Sequence, residues 1–154
     1  MSEETLLHGT CVAFDDLGIL ILGPPGSGKS DLALRLIDQP GSGTSGRSRV
    51  AKLVADDQVI ISRAGPLLVA MAPPILAGKL EVRGLGITSV TAQASATLVL
   101  AVRLTETSTI ERLPDFTKSR YEVLGVGLPL ALIDPGKASA PARLRAALDW
   151  IGAY

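Results

Sequence analysis

A chain of 154 residues, 47% of them apolar, is long enough to bury one core and too short for two comfortable domains. Fifteen Lys and Arg balance fifteen Asp and Glu, which argues against a nucleic-acid backbone or an anionic membrane as the main partner. The single cysteine, Cys11, excludes an internal disulfide, suits a reducing cytosol and reads as a small buried hydrophobe.

The acidic start MSEETLLHG lacks the features of a secretory signal. The least charged stretches, 64–78 and 88–102, are broken by Pro or by Ser, Thr and Gln before they could span a bilayer. The expectation is one cytoplasmic α/β domain over residues 1–154. The segment GTCVAFDDLGILILG predicts two short strands about a turn at Asp15–Gly18. After GPPGSGKS, the spacing of Leu32, Leu36 and Ile37 predicts a helix over 30–37, ended by Pro40. Residues 39–49, QPGSGTSGRSR, carry no apolar side chain and read as a flexible surface loop. VAKLVADDQVIIS reads as strand, acidic turn, strand, and GPLLVAMA as a further strand. Pro73-Pro74 open an irregular segment containing LEVRGLGI. ATLVLAVRL, 96–104, is strongly β-prone. Residues 111–125 read as a short helix or loop, and LPLALIDPG ends in a turn. Leu144, Leu148 and Ile151 share one face of a closing helix over 140–151. The elements sum to a mixed β-sheet with a P-loop helix and a C-terminal helix.

Strand, Gly-rich loop, helix is the context that distinguishes a phosphate-binding P-loop from a chance match. In Gly23-Pro24-Pro25-Gly26-Ser27-Gly28-Lys29-Ser30, the glycines let backbone N–H groups converge on an anion, and the helix dipole adds positive potential beside Asp31. Lys29 would meet the terminal phosphates of a nucleotide, and Ser30 would ligate Mg²⁺. An acidic group near that metal is needed, and Lys52-Leu-Val-Ala-Asp56-Asp57 supplies two. Neighbouring side chains on an extended chain point different ways, so one carboxylate can face the metal shell and the other the substrate. The chain contains no asparagine, so a guanine-reading Asn-Lys-x-Asp motif is impossible. It is too short for a motor ATPase with sensor domains. A small-molecule kinase would need an Arg-rich lid, and loop 39–49 holds two arginines.

Three features coincide: His8-Gly9, VADD at 54–57, and LEVRGLGI at 80–87. Together they resemble the catalytic domain of HPr kinase/phosphorylase, over about Leu7 to Gly136, in a short form without the family's extra N-terminal domain. The resemblance implies an ATP- and Mg²⁺-dependent kinase acting on a serine of the phosphocarrier HPr, assembled as a homo-hexamer. It also implies a reverse reaction in which phosphate attacks phosphoserine and pyrophosphate leaves. It implies Asp57 as the base, Asp56 and Glu81 with Ser30 at magnesium, His8 beside the site, and Arg112 supporting transfer. Arg83 and its glycines would shape the loop around the phosphate, and the turn Ile133–Lys137 would serve dephosphorylation. Three departures stand out: Pro24 and Pro25 remove backbone donors, loop 39–49 is longer than the family's tight turn, and the Ile133–Lys137 turn lacks its usual arginines. The last, with Asp134 expected to repel phosphate, implies weak dephosphorylation. The alternatives are a nucleotide-sensing regulator without transfer and a small-molecule P-loop kinase.

Overall fold

The computed structural model describes residues 3–152. Eleven strands and two α-helices follow one another as β1 Glu4–His8, β2 Thr10–Phe14, β3 Leu17–Leu22, α1 Lys29–Asp38, β4 Lys52–Ala55, β5 Gln58–Ala64, β6 Leu67–Met71, β7 Lys79–Val82, β8 Gly86–Ser89, β9 Ser95–Leu104, β10 Arg120–Val123, β11 Val126–Ile133 and α2 Ala140–Trp150. The expected mixed sheet with two helices is present, and no helix among the described residues is long and apolar enough to cross a membrane.

Nine strands form one curled sheet in the order β1-β5-β6-β9-β3-β2-β4, with β11 joining β9 in parallel and β10 pairing β11. Its central strands are buried on both faces, which is why their sequences are almost wholly apolar rather than alternating. On β3, Ile19 and Ile21 face one core with Leu32, Leu36, Leu144 and Leu148 of the helices. Leu20 and Leu22 face a second core with Val54, Val59, Ile61 and Leu68. A bulge between Leu98 and Leu100 reverses the facing of β9, so Leu98 enters the second core and Leu100 the first.

The N-terminal ETLLH, for which no element was expected, is an edge strand paired with β5. LEVRGLGI is a hairpin, β7 against β8, turned through Gly84 at φ +89 and Gly86 at φ +113, where a side chain would be strained. Residues 39–49 form a surface loop with definite tethers: Gly41 bridges Arg49, the Arg49 guanidinium pairs with Asp149 of α2, and Thr44 N–H donates to Asp149 Oδ2 at 3.2 Å.

Candidate active site

The parallel strands β3, β9 and β11 end at one edge of the sheet, and β4 runs the same way beyond the antiparallel β2. Loops at the carboxyl ends of such strands form the ligand crevice of open α/β sheets. Here they enclose a cleft of about 640 Å³ whose walls bring together His8, residues 25–31, Asp56, Asp57, Glu81 and Arg83.

The apolar run of β3 delivers the chain to Gly23, where a Cβ would sit 2.4 Å from Ser27 Oγ. Gly28 takes φ +102 and passes directly into α1. The first-turn N–H groups of a helix have no intrahelical acceptor, and its dipole favours an anion there. Pro24 and Pro25 have no N–H to donate, and the Ser27 N–H is taken by the Pro24 carbonyl at 3.1 Å. The Lys29 ammonium bridges the carbonyls of Gly23 at 2.7 Å and Pro24 at 3.0 Å. Those two residues therefore act through their carbonyls, behind the cleft. Burial lowers the Lys29 pKa, and the charges of Asp56 and Asp57 oppose that shift. Ser27 Oγ is buried within the Gly-rich loop with no protein partner. Asp31 lines the cleft and pairs with Arg35 at 3.1 Å.

The two carboxylates have different surroundings, set by the turn that follows β4 rather than by an extended chain. Asp56 is buried and accepts three hydrogen bonds: from Ser30 Oγ at 2.8 Å, Thr10 Oγ1 at 2.9 Å and the Glu81 N–H at 3.2 Å. Asp57 sits at the β4–β5 turn at φ +67, a left-handed conformation Asp tolerates better than most side chains. Its carboxylate is 66% exposed over the cleft, 3.4 Å from His8 Nδ1, and its carbonyl accepts the Gly9 N–H at 3.1 Å.

Mg²⁺ prefers hard oxygen ligands and is held by one or two carboxylates plus substrate phosphates rather than by an all-protein cage. The Ser30 hydroxyl against Asp56, with Glu81 in the same cleft, fits that ion. Among the described residues no group of three His, Cys, Asp or Glu side chains could hold a metal alone.

Arg112 does not reach this cleft. It is exposed between Ile110 and Pro114, on a segment that walls a separate, more apolar cavity of about 500 Å³ with β11 and α2. Asp134 is also turned aside: its carboxylate accepts from Thr107 Oγ1 at 2.6 Å, the Thr107 N–H at 2.9 Å and the Gly136 N–H at 2.9 Å. The carboxylate is thus committed to the Thr107 and Gly136 donors and is not among the groups lining the cleft. Pro135 and Gly136 are what line the cleft from that turn, fixed by Arg35 Nη2 donating to the Pro135 carbonyl at 2.8 Å. Thr10 is the residue sequence reasoning missed. A lone hydroxyl opening the apolar run TCVAF, two positions after His8, was its one signal.

A strand, a glycine-rich loop, a helix and a buried carboxylate on the loop's serine define a P-loop domain. Within that class the chain belongs to the HPr Serine kinase C-terminal domain family, whose model matches residues 1–140. An HPr kinase/phosphorylase of Clostridium acetobutylicum is 43% identical over 101 residues, covering 66% of this chain and 30% of that protein. Another, of Prosthecochloris aestuarii, is 34% identical over 149 residues, covering 88% of this chain and 41% of the relative. The chain thus spans well under half the length of these curated relatives. The solved structure of the Hpr(Ser) kinase/phosphatase from Coxiella burnetii matches with a TM-score of 0.77 over 96% of each chain at 22% identity, a likeness of fold.

Proposed function

We propose that this domain transfers the terminal phosphoryl group of ATP to a serine of HPr. The observation that carries the reading is the division of labour between Asp56 and Asp57. Asp56 is buried onto Ser30, where it can hold the outer shell of a magnesium ion. Asp57 stands free beside His8, where it can take the serine proton as the hydroxyl oxygen attacks the phosphorus. Residues 26–31 and Lys29 would hold the phosphates and stabilise the charge that grows on the transferred group. When bound, Mg²⁺ would neutralise phosphate charge between Ser30, Asp56 and Glu81. A nucleotide sensor without transfer has no use for an exposed carboxylate over the phosphate site.

The same groups support the reverse reaction. A phosphate oxygen attacks the phosphoserine phosphorus, the serine oxygen leaves with the proton from Asp57, and pyrophosphate departs. Asp134 is not among the residues that line the cleft, and its carboxylate is held by Thr107 and Gly136. A role for Arg112 is not part of this reading within one chain. A cytoplasmic, homo-oligomeric enzyme is part of it.

The test combines purified protein, Mg-ATP and HPr, and looks for phosphoserine by mass spectrometry, with Lys29→Ala as the control. The expected result is transfer by wild type and a loss of about 10²–10³-fold in the folded variant. A folded Lys29→Ala protein with near-normal transfer would refute the phosphate site.

A further inference from the structure

The β7–β8 hairpin shows more apolar surface to solvent than its packing uses. Its inner side is anchored: Leu80 is fully buried and Val82 packs on the helix-side core. Residues directly opposite in an antiparallel pair point to the same side. Glu81 pairs with Ile87, so these two share the outer side, and Glu81 lines the phosphate cleft. Ile87 is 73% exposed and Leu85, in the connecting turn, is 86% exposed. Every residue of β8 is exposed, and among the described residues the strand pairs only with β7.

A single exposed hydrophobe needs no explanation. Two on one short hairpin, one of them directly across from the cleft residue Glu81, are different. Phosphates and magnesium call for N–H groups, a lysine and carboxylates, none of which Leu85 or Ile87 supplies. A small hydrophilic acceptor would gain nothing from them. A folded protein that brings its serine down onto Asp57 must cover the rim of the cleft, and this hairpin is part of that rim. Lys79 lies two residues before Glu81 on the same side, and Arg83 stands at the turn, so the apolar pair is flanked by cations.

We propose that Leu85 and Ile87 form the docking patch for the protein that carries the acceptor serine. It selects a protein whose serine lies beside an apolar surface edged by acidic or polar groups. The proposal rests on the HPr kinase reading above and adds the surface that makes the acceptor a protein.

The experiment measures steady-state transfer to HPr by wild type, Leu85→Ser, Ile87→Ser and the double variant. ATP affinity is measured by calorimetry, and mass in solution by light scattering. Because both side chains are solvent-exposed, the substitutions leave the fold intact, which circular dichroism checks. Each serine variant is expected to raise KM for HPr roughly tenfold, the loss of one buried aliphatic contact. kcat and ATP affinity should stay within about twofold, and Ile87→Val should restore most of the effect. An unchanged KM in an enzyme that phosphorylates HPr overturns the patch and leaves the kinase reading standing. A wild type that transfers nothing to HPr overturns both. A fall in kcat with KM unchanged would make the hairpin part of the chemistry and not a docking surface. Loss of a self-associated species in the variants, with KM for HPr unaltered, would assign the patch to a second copy of the chain and overturn the proposal.

Discussion

Thr10→Val isolates the hydroxyl that sequence reading passed over. Thr10 is fully buried at the start of β2, and its Oγ1 donates to the same Asp56 oxygen that accepts Ser30. Valine keeps the shape and β preference but presents a methyl group to a carboxylate oxygen. A hydrogen bond to a charged group contributes about 1.5–3 kcal/mol, and a buried acceptor that loses it is left partly unsatisfied. Two donors to Asp56 remain, Ser30 Oγ and the Glu81 N–H, and valine avoids the cost of burying a hydroxyl. The net loss should therefore be about 1–2 kcal/mol. For a domain of this size each kcal/mol moves Tm by about 2–4 °C, so a fall of roughly 2–8 °C is expected.

The functional effect should exceed the thermal one. Groups that orient a metal-site carboxylate typically change metal affinity or activity by about tenfold or more when removed. Transfer to HPr is assayed while Mg²⁺ is titrated at fixed ATP. Thr10→Val is expected to need about tenfold more Mg²⁺ for half-maximal rate, with the saturated rate changed less. Thr10→Ser keeps the donor and should restore the wild-type requirement. A valine variant with wild-type Tm and Mg²⁺ requirement, or a serine variant as impaired as the valine one, would refute the idea that this hydroxyl sets Asp56.

Asp57→Asn should lose transfer while binding ATP normally, since an amide cannot take the serine proton; calorimetry with single-turnover assays checks it, and the same pattern from Asp56→Asn instead would reverse the two roles. Asp149→Ala removes the partner of Arg49 and Thr44, an ion pair whose side chains are 12% and 8% exposed, and should destabilise the domain by about 3 kcal/mol in denaturant melts without altering ATP affinity. The Asp134 pKa is lowered, first by the Thr107 hydroxyl and then by the Gly136 and Thr107 N–H groups. Its stabilisation is thus complete above the ordinary carboxylate value of about 4 and is lost as pH falls through the depressed folded value. The Tm gap between wild type and Asp134→Asn should hold from pH 8 to 5 and close as pH falls below the ordinary carboxylate value of about 4; a gap that shrinks between pH 8 and 6 would assign it to another group.

What was legible in the sequence was local. Strand, loop and helix around Lys29 lie within one run of chain, and their spacing alone constrains their geometry. That Asp56 and Asp57 face different surroundings was expected from an extended chain, but the structure divides them through a left-handed turn at Asp57, after β4 has ended. What escaped depended on partners far away in sequence. Loop 39–49 has no apolar residue to betray a contact, yet it is tethered to Asp149, about a hundred residues on. LEVRGLGI looks irregular because its two left-handed glycines break the strand pattern, and those glycines are what turn the hairpin. The hydrogen-bond partners of Asp134 were not legible either, because its neighbours in sequence include no donor side chain but Lys137. The donors that turn it aside include Thr107, brought there by β9 and β11 running in parallel.

Thr10 shows why this boundary falls where it does. Its hydroxyl matters only because β2 is antiparallel to both β3 and β4, which puts the start of β2 beside the ends of the other two. The register sets Thr10 opposite Ile21 and Cys11 opposite Ala55, one residue short of Asp56. Three segments of chain, 10, 30 and 56, therefore meet on one carboxylate. A motif supplies the Gly-rich loop, but the strand order decides which donors the buried Asp56 carboxylate receives. Asp57, one residue on, escapes that enclosure only because its left-handed backbone turns the chain out of β4 toward His8 and the open cleft. Straightening that turn would pair Asp57 with the sheet and take the proposed base away from the acceptor serine.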